Sequence, residues 1–392
     1  MSKTSSFDII IAGAGASGLS LVWYLLQSEI LRDKQILLLD LSLEPADDKT
    51  WCFWEDAILP QKDLIFHTWE TLQVRAFDDV ITETLSQYRY HCMRSLDYSR
   101  SILDMARSHN SITMLEAEIE GFDSDEEYAI VHTKKGSFSA DWIFQSALKP
   151  KGFYSQRVDI SLKQHFMGLE IETKKPVFDP DKVVLMDFDT SQKQGITFFY
   201  ILPFSKTNAL VEFTLFSEKV LSKDEYAAGI TLYLQNRYGL GVENYTVNRT
   251  EIGAIPMEDR RYPAWYTTRV LNIGTAGGLT KPSTGYTFTR IHRHCKSIVK
   301  DLEKGITPSV TNRSEYRFRV YDIMFLYLLK TDPSVSKKIF HNLFKRNSFD
   351  RVLQFLEEDT HPGQELSIMA SLPSVPFLKA IYKMKHRIFT GA

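Results

Sequence analysis

Apolar residues near the start of the chain follow one another almost without interruption, which is typical of strands buried on both faces. Residues 7–12 form the first such run, and residues 35–39 form a second one that ends in Asp40. Between them, the apolar run 19–26 predicts a helix packed under a sheet. The order strand, helix, strand therefore predicts two parallel strands joined by a helical crossover.

Farther along the chain, shorter apolar runs and apolar–polar alternation predict many strands and few helices. The predicted strands are residues 112–121, 128–133, 138–146, 164–172, 183–189, 196–202, 209–216, 246–255 and 270–273. The predicted helices are residues 97–109, 223–238 and 284–302, and the chain is mostly helical from residue 315 onward.

Together with the glycine-rich turns that follow the strands 7–12 and 270–273, this series of elements predicts an α/β protein with a two-dinucleotide-binding, Rossmann-like flavoprotein fold. The discontinuous FAD-binding domain would comprise residues 1–70, 90–150 and 250–305. An antiparallel substrate-binding sheet, residues 71–89 and 151–250, would be inserted into it. A helical C-terminal region, residues 306–392, would follow.

Composition and charge exclude several classes of function. The formal net charge of −2 gives no basic field for nucleic acid. The longest apolar run of the C-terminal half, around residues 323–329, is too short to span a membrane, and residues 1–7 have no apolar core of signal length. The three cysteines have neither metal-ligand nor disulfide-framework spacing. We therefore expect a cytoplasmic protein, without excluding one that lies on a membrane surface.

The turn after the first strand carries the spacing G-x-G-x-x-G. Gly13 would make the tight turn, Gly15 would let a pyrophosphate approach the backbone, and Gly18 would let helix and strand pack closely. Asp40, at the tip of the second strand, would accept hydrogen bonds from ribose hydroxyls. The pattern predicts a dinucleotide site, with a glycine-rich turn that binds nothing as the alternative. It does not distinguish FAD from NAD.

A second glycine cluster, N-I-G-T-A-G-G-L-T-K-P-S-T-G-Y over residues 272–286, leads from a short strand into a helix. Thr284 is the predicted N-cap of that helix, whose first N–H groups would face an anion. The predicted cofactor-binding residues of this cluster are Gly274, Gly277, Gly278, Pro282, Thr284 and Gly285. Two separate glycine-rich sites favour FAD over NAD, because FAD is long enough to need both. The alternative is an ordinary helix start after a proline turn.

Two glutamates alternate with apolar residues on predicted strands. Glu212 shares a strand face with Leu210 and Phe216, and Glu251 precedes the sequence I-G-A-I-P-M. A carboxyl group in such surroundings is desolvated, so its pKa rises and it can act as a general acid at neutral pH. The alternative for both residues is a solvent-exposed or ion-paired acid.

Aromatic residues predict the wall of a substrate cavity. Trp51 and Trp54 lie in the segment K-T-W-C-F-W-E, and Phe198 and Tyr200 lie on the strand before Glu212. A plain core cluster is the alternative for the tryptophans. No metal site is expected. His292 and His294 are two residues apart on a predicted helix, so they face different directions, and we expect them to be solvated.

The chain resembles the FAD-type lycopene β-cyclases of carotenoid biosynthesis over nearly its whole length. Four segments carry the resemblance: the first glycine motif with Asp40, the sequence T-W-C-F-W-E, the sequence P-F-S-K-T-N-A-L-V-E-F-T over residues 203–214, and residues 251–286. The third segment is similar to the stretch that holds the family's catalytic acid, which falls on Glu212. The chain departs from the family pattern at Leu210, where the family has Phe, and at Phe213, where it has a second acid. On the predicted strand Phe213 points away from Glu212.

The resemblance implies a reaction, cofactors and partners. Acyclic ψ-ends of lycopene and related carotenoids would be protonated, cyclised and deprotonated to β-ionone rings without net redox change. Reduced FAD would be required, with NADPH as the electron source. Lycopene resides in bilayers, and residues 371–392 combine apolar and basic positions, which predicts contact with the inner face of the membrane. Two rivals are a flavin-dependent monooxygenase or halogenase, and a dinucleotide-binding sensor without catalytic activity.

Overall fold

The computed structural model describes residues 5–55, 61–149, 153–308 and 315–389. Residues 1–4 and 390–392, which belong to the predictions for the two termini, lie outside the described residues. The strands are β1 (Ser5–Ala12), β2 (Ile36–Asp40), β3 (Thr50–Glu55), β4 (Ile65–Trp69), β5 (Thr71–Ala76), β6 (Asp79–Thr84), β7 (Arg89–Arg94), β8 (Ile112–Glu116), β9 (Ile119–Ser124), β10 (Ala129–Thr133), β11 (Gly136–Gln145), β12 (Ser161–Thr173), β13 (Lys182–Asp187), β14 (Ile196–Pro203), β15 (Asn208–Ser217), β16 (Tyr245–Glu258), β17 (Trp265–Thr267) and β18 (Val270–Asn272). The helices are α1 (Ala16–Gln27), α2 (Ser95–Ser108), α3 (Lys223–Tyr238), α4 (Phe288–Glu303), α5 (Tyr316–Thr331), α6 (Pro333–Arg346), α7 (Phe349–Leu356), α8 (Pro362–Ala370) and α9 (Ser374–Phe389).

The first sheet has the strand order β17-β18-β11-β1-β2-β8, in which all pairs except β17 with β18 are parallel. Its central strand β1 is apolar on both faces because both faces are covered. Ile9 and Ile11 belong to the hydrophobic cluster that contains the buried residues of α1, α2 and α4. Ile10 and Ala12 belong to a second cluster, with residues of β9 and β10 on the opposite face. The continuous apolar run of β1 thus follows from its position between two layers.

The second sheet has seven strands in the order β16-β12-β15-β14-β13-β5-β6, and all pairs except β13 with β5 are antiparallel. Helix α3 packs on one face, and the C-terminal helices α5, α6 and α7 share a hydrophobic cluster with the other. The predicted α/β class with an inserted, largely antiparallel sheet is confirmed. Strand β16 pairs with β12 as far as Glu258, so residues 251–258 belong to this sheet and not to the dinucleotide-binding part predicted for them.

A third, three-stranded sheet in the order β3-β7-β4 lies where a second crossover helix would follow β2. It brings the tryptophan-rich segment of β3 against α4, with Trp51 stacked on Phe288 at a ring-centroid distance of 5.4 Å. The predicted single strand 112–121 is two strands, because the chain leaves the parallel sheet after Glu116 and β9 pairs with β10 instead. Among the described residues, no helix is both long and apolar enough to cross a membrane.

Candidate active site

The first glycine motif forms the turn between β1 and α1, as predicted. Gly13 has a φ of +114°, and a Cβ at Gly18 would lie 1.8 Å from the Gly13 carbonyl oxygen. A Cβ at Gly15 would meet no atom within 4 Å. The turn therefore needs glycine at 13 and 18 for its own packing. Gly15 instead leaves open space before the first N–H groups of α1, which is the geometry that a phosphate group requires.

Asp40 lies at the end of β2 beside this turn. Its Oδ2 accepts a hydrogen bond from the Ala14 N–H at 2.5 Å, and its Oδ1 accepts one from the Leu41 N–H at 2.6 Å. The carboxylate thus fixes the glycine turn, a role that the sequence pattern did not reveal. Each carboxylate oxygen has a second lone pair, so the predicted contact with a ribose hydroxyl stays a prediction.

The second glycine cluster follows β18, but its helix begins later than predicted. Helix α4 starts at Phe288 after Thr287, so the prediction that Thr284 caps it is wrong. The reason is Gly285, whose φ of +76° interrupts the helical path. The Thr287 side chain makes no capping hydrogen bond to α4, and Thr284 Oγ1 is buried without a partner among the described residues. The N-terminus of α4 therefore keeps its backbone donors unpaired by any capping side chain.

A cavity of about 370 Å³ extends from the N-terminus of α1, past the second glycine cluster, to the second sheet. Thr284 and Gly285 line this first cavity, whereas Gly277, Gly278 and Pro282 line a second cavity behind the same loop. The residues of the first cavity that bear on chemistry are Ala16, Trp51, Cys52, Tyr200, Glu212, Glu251, Thr275, Thr284, Tyr286 and Phe288. Both predicted acids, Glu212 and Glu251, therefore line the same cavity.

Glu212 lies on the face of β15 that is turned toward the first cavity. Thr214, two residues along the same face, donates its hydroxyl to Glu212 Oε1 at 2.7 Å. Burial, and then the neighbouring charge of Glu251, raise the pKa of Glu212 to about 8. At neutral pH this carboxyl group is therefore protonated, as a general acid must be.

Glu251 lies on β16 with 2% of its side chain exposed. Its Oε2 accepts a hydrogen bond from the Thr50 hydroxyl at 2.8 Å and one from Arg249 Nη1 at 2.9 Å. Burial raises the pKa of Glu251, and the Arg249 guanidinium opposes that shift. The two glutamates are within hydrogen-bonding reach of each other and titrate as a pair.

Gly168 allows this pair to form. Strand β12 lies between β15 and β16, and Gly168 is the register partner of both Glu212 and Glu251. Neighbouring strands are about 4.8 Å apart, so the two glutamates meet across the bare backbone of the strand between them. A Cβ at Gly168 would lie 3.0 Å from Cγ of Glu251 and 3.0 Å from Cδ1 of Leu210. Any side chain at this position would therefore crowd the carboxyl pair.

Glu251 is the end of a chain of ion pairs that continues through Arg249 and Glu170 to Arg94. Arg249 Nε lies 3.2 Å from Glu170 Oε2, and Arg94 Nη2 lies 2.8 Å from the same oxygen. Arg249 also donates to the Thr50 hydroxyl at 2.5 Å. Arg249 is thus held in place by two neighbours while it contacts Glu251. The sequence analysis missed Arg249, although its spacing of two from Glu251 on a strand places both side chains on one face.

Two of the four predicted cavity aromatics line the cavity and two do not. Trp51 and Tyr200 are on its wall. Trp54 is buried behind Tyr286 at a ring-centroid distance of 4.6 Å, and its Nε1 donates to the Leu353 carbonyl at 3.1 Å. Phe198 is fully buried and packs against core phenylalanines of the second sheet. Residues 54 and 198 therefore support the wall instead of forming it. Tyr286, which does line the cavity, was missed by the sequence analysis.

Phe213 occupies the opposite face of β15. Its ring stacks on Phe199 at 4.7 Å, in the hydrophobic cluster beneath α3. A residue here does not reach Glu212. The carboxyl pair of the cavity is therefore formed by Glu212 and Glu251 on two different strands, without a contribution from position 213.

The prediction that His292 and His294 are solvated is wrong. Their exposures are 3% and 2%, because α4 is enclosed and His292 packs between Phe288 and Tyr24. Burial lowers the pKa of each imidazole to about 4, so both rings are neutral at pH 7. Within the described part of the chain no group of His, Cys, Asp or Glu could hold a metal ion.

The sequence as a whole matches a family model for "Lycopene cyclase protein" over residues 8–382. The chain belongs to this family. It is 28% identical to a lycopene β-cyclase of Paracoccus sp. (strain N81106 / MBIC 01143), over 72% of this chain and 70% of that protein. It is 23% identical to a lycopene β-cyclase of Pantoea ananas, over 96% of this chain and 97% of that protein.

Solved flavoproteins share the fold of this lycopene cyclase family member. A variant of the halogenase PltM in complex with FAD superimposes with a TM-score of 0.56, over 97% of this chain and 92% of that one. The two chains are 13% identical, so this likeness concerns the fold alone. It places the family among proteins with the Rossmann-like flavoprotein architecture.

Proposed function

We propose that this chain is an FAD-dependent lycopene β-cyclase. A terminal C=C bond of lycopene is protonated, the next double bond attacks the carbocation, and the new ring loses a proton. One cyclised end gives γ-carotene and two give β-carotene. Because the carotenoid neither gains nor loses electrons overall, the reaction is an isomerisation. The names of the relatives support the substrate, and the meeting of Glu212 and Glu251 in one aromatic-lined cavity is the observation that carries the chemistry.

The hydrogen bonds around the pair assign its proton to Glu212. Arg249 and Thr50 both donate to Glu251, so Glu251 is the better place for the negative charge. Among the described residues apart from Glu251 itself, the Thr214 hydroxyl is the donor to Glu212. In the state with one proton, Glu212 is therefore the acid that faces the substrate and Glu251 is its anionic neighbour. The Glu251 carboxylate also stabilises the positive charge that develops in the cavity.

The proton returns to the same pair after ring closure. Glu212 is ionised once it has given its proton to the carotenoid, and the new ring would still be in the cavity that Glu212 lines. Because Glu251 carries the charge in the resting state, an ionised Glu212 next to it is a strong base. The pair thus acts first as an acid and then as a base.

The wall of the cavity protects the cation from water. Trp51, Tyr200, Tyr286 and Phe288 line it, and aromatic faces attract positive charge. A cavity of about 370 Å³ accommodates one end group of the carotenoid, not the whole polyene. The enzyme would therefore act on one end at a time.

The residues of the two glycine clusters fit FAD. The open space at Gly15 would receive the pyrophosphate, Asp40 the ribose, and the unpaired backbone donors at the start of α4 the flavin, whose neighbours would include Thr284 and Gly285. Bound reduced FAD would supply negative charge close to the cationic carotenoid, and NADPH would serve as its electron source. Both the reduced state of FAD and the role of NADPH are inferred from the family resemblance.

We also propose that the protein lies on the inner face of the membrane, where lycopene is dissolved. Helix α9 has an exposed face that carries Val375, Leu378, Tyr382 and Phe389, each at least 64% exposed. Lys379 and Lys383 lie beside these residues. An apolar face flanked by lysines is typical of helices that bind the surface of a bilayer.

The test is pigment chromatography of lycopene-accumulating bacterial cells that express the chain. We expect lycopene to decrease and γ-carotene or β-carotene of unchanged mass to accumulate. The Glu212→Gln variant should lose about 10²–10⁴-fold of the rate, the usual contribution of a general acid. Glu172→Gln, the same change on β12 outside the lining of the cavity, should retain it.

Three results would contradict the proposal. The first is FAD-loaded protein that leaves lycopene untouched, and the second is a pigment that has gained oxygen or halogen, which would favour a monooxygenase or halogenase. The third is a Glu212→Gln protein with the wild-type rate, which would remove Glu212 as the acid while leaving cyclisation itself in place.

A further inference from the structure

The second cavity, of about 340 Å³, lies behind the second glycine cluster and is not used by the proposed cyclisation. It is enclosed by the end of β16, the loop at Gly277 and Gly278, and the start of α5. Four arginines line it: Arg260, Arg261, Arg290 and Arg319. The acids on its wall are Glu258 and Asp322. Cations therefore outnumber acids around this space.

Two of the four arginines are already neutralised. Arg260 Nε lies 2.8 Å from Glu258, and Arg290 Nη1 lies 3.1 Å from Glu358. Asp322, the other acid of the wall, is paired with Lys281 at 3.0 Å. The acids near the cavity are thus engaged with other cations.

The side chains of Arg261 and Arg319 form no ion pair or hydrogen bond with any described residue. Nε and Nη2 of Arg319 are buried and unpartnered. Burial lowers the pKa of Arg319, and the positive charges of Arg261 and Arg387 lower it further, while Asp259 opposes the shift. A partly buried guanidinium with unpaired donors costs free energy, and like charges next to it increase that cost. The cavity therefore offers positive charge and free hydrogen-bond donors to an anion.

An apolar groove adjoins this cavity and shares Tyr316 with it. The groove, of about 260 Å³, lies between α5 and α9 and is lined by Val320, Ile381, Ile388 and Phe389. Tyr316 is 58% exposed and Phe389 is 71% exposed, so the groove opens to the surface. Phe389 belongs both to this groove and to the exposed apolar face of α9. An unsatisfied cationic cavity and an open apolar groove thus meet at one residue.

We infer that the arginine cavity and the α5–α9 groove together bind one anionic phospholipid, with the phosphate at Arg319 and Arg261 and an acyl chain along the groove. A guanidinium binds phosphate oxygens through two parallel hydrogen bonds, which a point charge cannot do. A free phosphate would satisfy the arginines but would leave the groove unoccupied. A lipid satisfies both, and it is the ligand that the exposed face of α9 would meet. The inference deepens the proposed membrane contact by adding a headgroup preference.

The experiment compares vesicles of phosphatidylglycerol with vesicles of phosphatidylcholine at the same salt concentration, with flotation of the full chain as the readout. We expect wild-type protein to prefer phosphatidylglycerol. The double variant Arg261→Gln/Arg319→Gln should lose roughly 30-fold in affinity for phosphatidylglycerol, since each arginine near an anionic surface contributes about fivefold. Arg32→Gln/Lys34→Gln, an equal loss of two charges at exposed positions between α1 and β2, is the matched control.

Two further variants separate the lipid site from simpler explanations. Leu378→Ser/Tyr382→Ser on the exposed face of α9 should weaken binding to both kinds of vesicle equally. Arg319→Gln should leave the melting temperature unchanged or raise it, because it removes an unpaired buried charge. A large fall in melting temperature would mean that Arg319 has a structural partner, and would overturn the inference.

The remaining outcomes also decide the matter. Wild-type protein that binds both vesicles equally, or a double variant that keeps the preference for phosphatidylglycerol, overturns the lipid site while leaving cyclisation intact. Inorganic phosphate that abolishes the preference at millimolar concentration at constant ionic strength would assign the arginines to a soluble phosphate instead. Loss of the preference in the double variant alone, with retained cyclisation of lycopene, supports the lipid site independently of the chemistry.

Discussion

The two faces of β15 carry opposite kinds of structure although their residues alternate along one strand. On one face Glu212, which accepts a hydrogen bond from Thr214, meets Glu251 in the first cavity. On the other face, Phe213 stacks on Phe199, which in turn stacks on Tyr233 at a ring-centroid distance of 3.8 Å. The first face holds a protonated carboxyl group in surroundings that disfavour charge, and the second face is packed with apolar side chains. Because successive residues of a strand point to opposite faces, the catalytic and the packing residues alternate along β15. Substitutions on the two faces should therefore have different consequences.

The largest effect is expected at Phe213, where the family pattern has an acid. Phe213→Asp removes a buried ring, at a cost of about 3–5 kcal/mol, and adds a desolvated carboxyl group. We expect a protein that unfolds at much lower temperature or fails to fold, which thermal unfolding would measure. Phe213→Leu, which keeps an apolar side chain, is the control. A stable Phe213→Asp protein with increased cyclase activity would contradict the separation of the two faces.

The fold could be predicted further than the site because its signals are local. The continuous apolar runs of β1 and β2 and the glycine spacing between them identify a parallel sheet and a nucleotide turn within 40 residues of sequence. The alternation around Glu212 likewise places it opposite Phe213. Each of these conclusions depends on neighbours in the chain, which is the information that a single sequence contains.

The partners of the acid could not be predicted because they are distant in sequence. Glu212 and Glu251 meet only because β12 pairs with both β15 and β16, and no local pattern indicates that register. Thr50 reaches Glu251 from the third sheet, which the sequence analysis did not foresee. The error at Thr284 has a local cause, since the sequence does not show that Gly285 adopts a positive φ.

The next largest effect is expected at Gly168, which lies between Glu212 and Glu251 and, having no side chain, lets them approach each other. Gly168→Ala places a Cβ 3.0 Å from the Glu251 side chain. We expect a loss of roughly 100-fold in cyclisation rate, the order of effect that a displacement of about 1 Å has on a catalytic group. Steady-state pigment formation by folded, FAD-loaded protein is the measurement.

Gly121→Ala is the matched control for this change. It is also a glycine on a strand, and a Cβ there would meet no atom within 4 Å. If Gly168→Ala were as active as Gly121→Ala, the close approach of the two carboxyl groups would not matter for the reaction.

A smaller effect, on the pH profile, is expected at Arg249. Its positive charge lowers the pKa of Glu212 and draws the negative charge of the pair to Glu251. In Arg249→Met the pair should hold its proton to higher pH, but that proton should be shared between the two carboxyl groups. We therefore expect a cyclisation rate about 3- to 10-fold lower near pH 7. The pH at which the rate falls on the alkaline side of the pH–rate profile should be higher than in the wild type, as for a coupled pair that has lost its cation. Arg157→Met, at an exposed pair with Asp159, should change neither quantity. An alkaline limb that moves to lower pH would contradict the assignment.

The last effect concerns stability instead of rate, and it tests the protonation of Glu212 without any substrate. The pKa of Glu212 in the folded chain is raised to about 8, well above the value in an unfolded chain. Between these two values the folded state binds the extra proton, so stability falls as pH rises and the loss is complete above the folded-state pKa. Gln cannot ionise, so Glu212→Gln removes this slope. We expect equal melting temperatures of variant and wild type near pH 4.5, and a variant that is more stable at pH 8.5 by roughly 1–3 kcal/mol. Glu172→Gln should follow the wild type at both values. A Glu212→Gln protein that is less stable than wild type at pH 8.5 would show that Glu212 is ionised in the resting state, and the acid would then have to be sought elsewhere in the cavity.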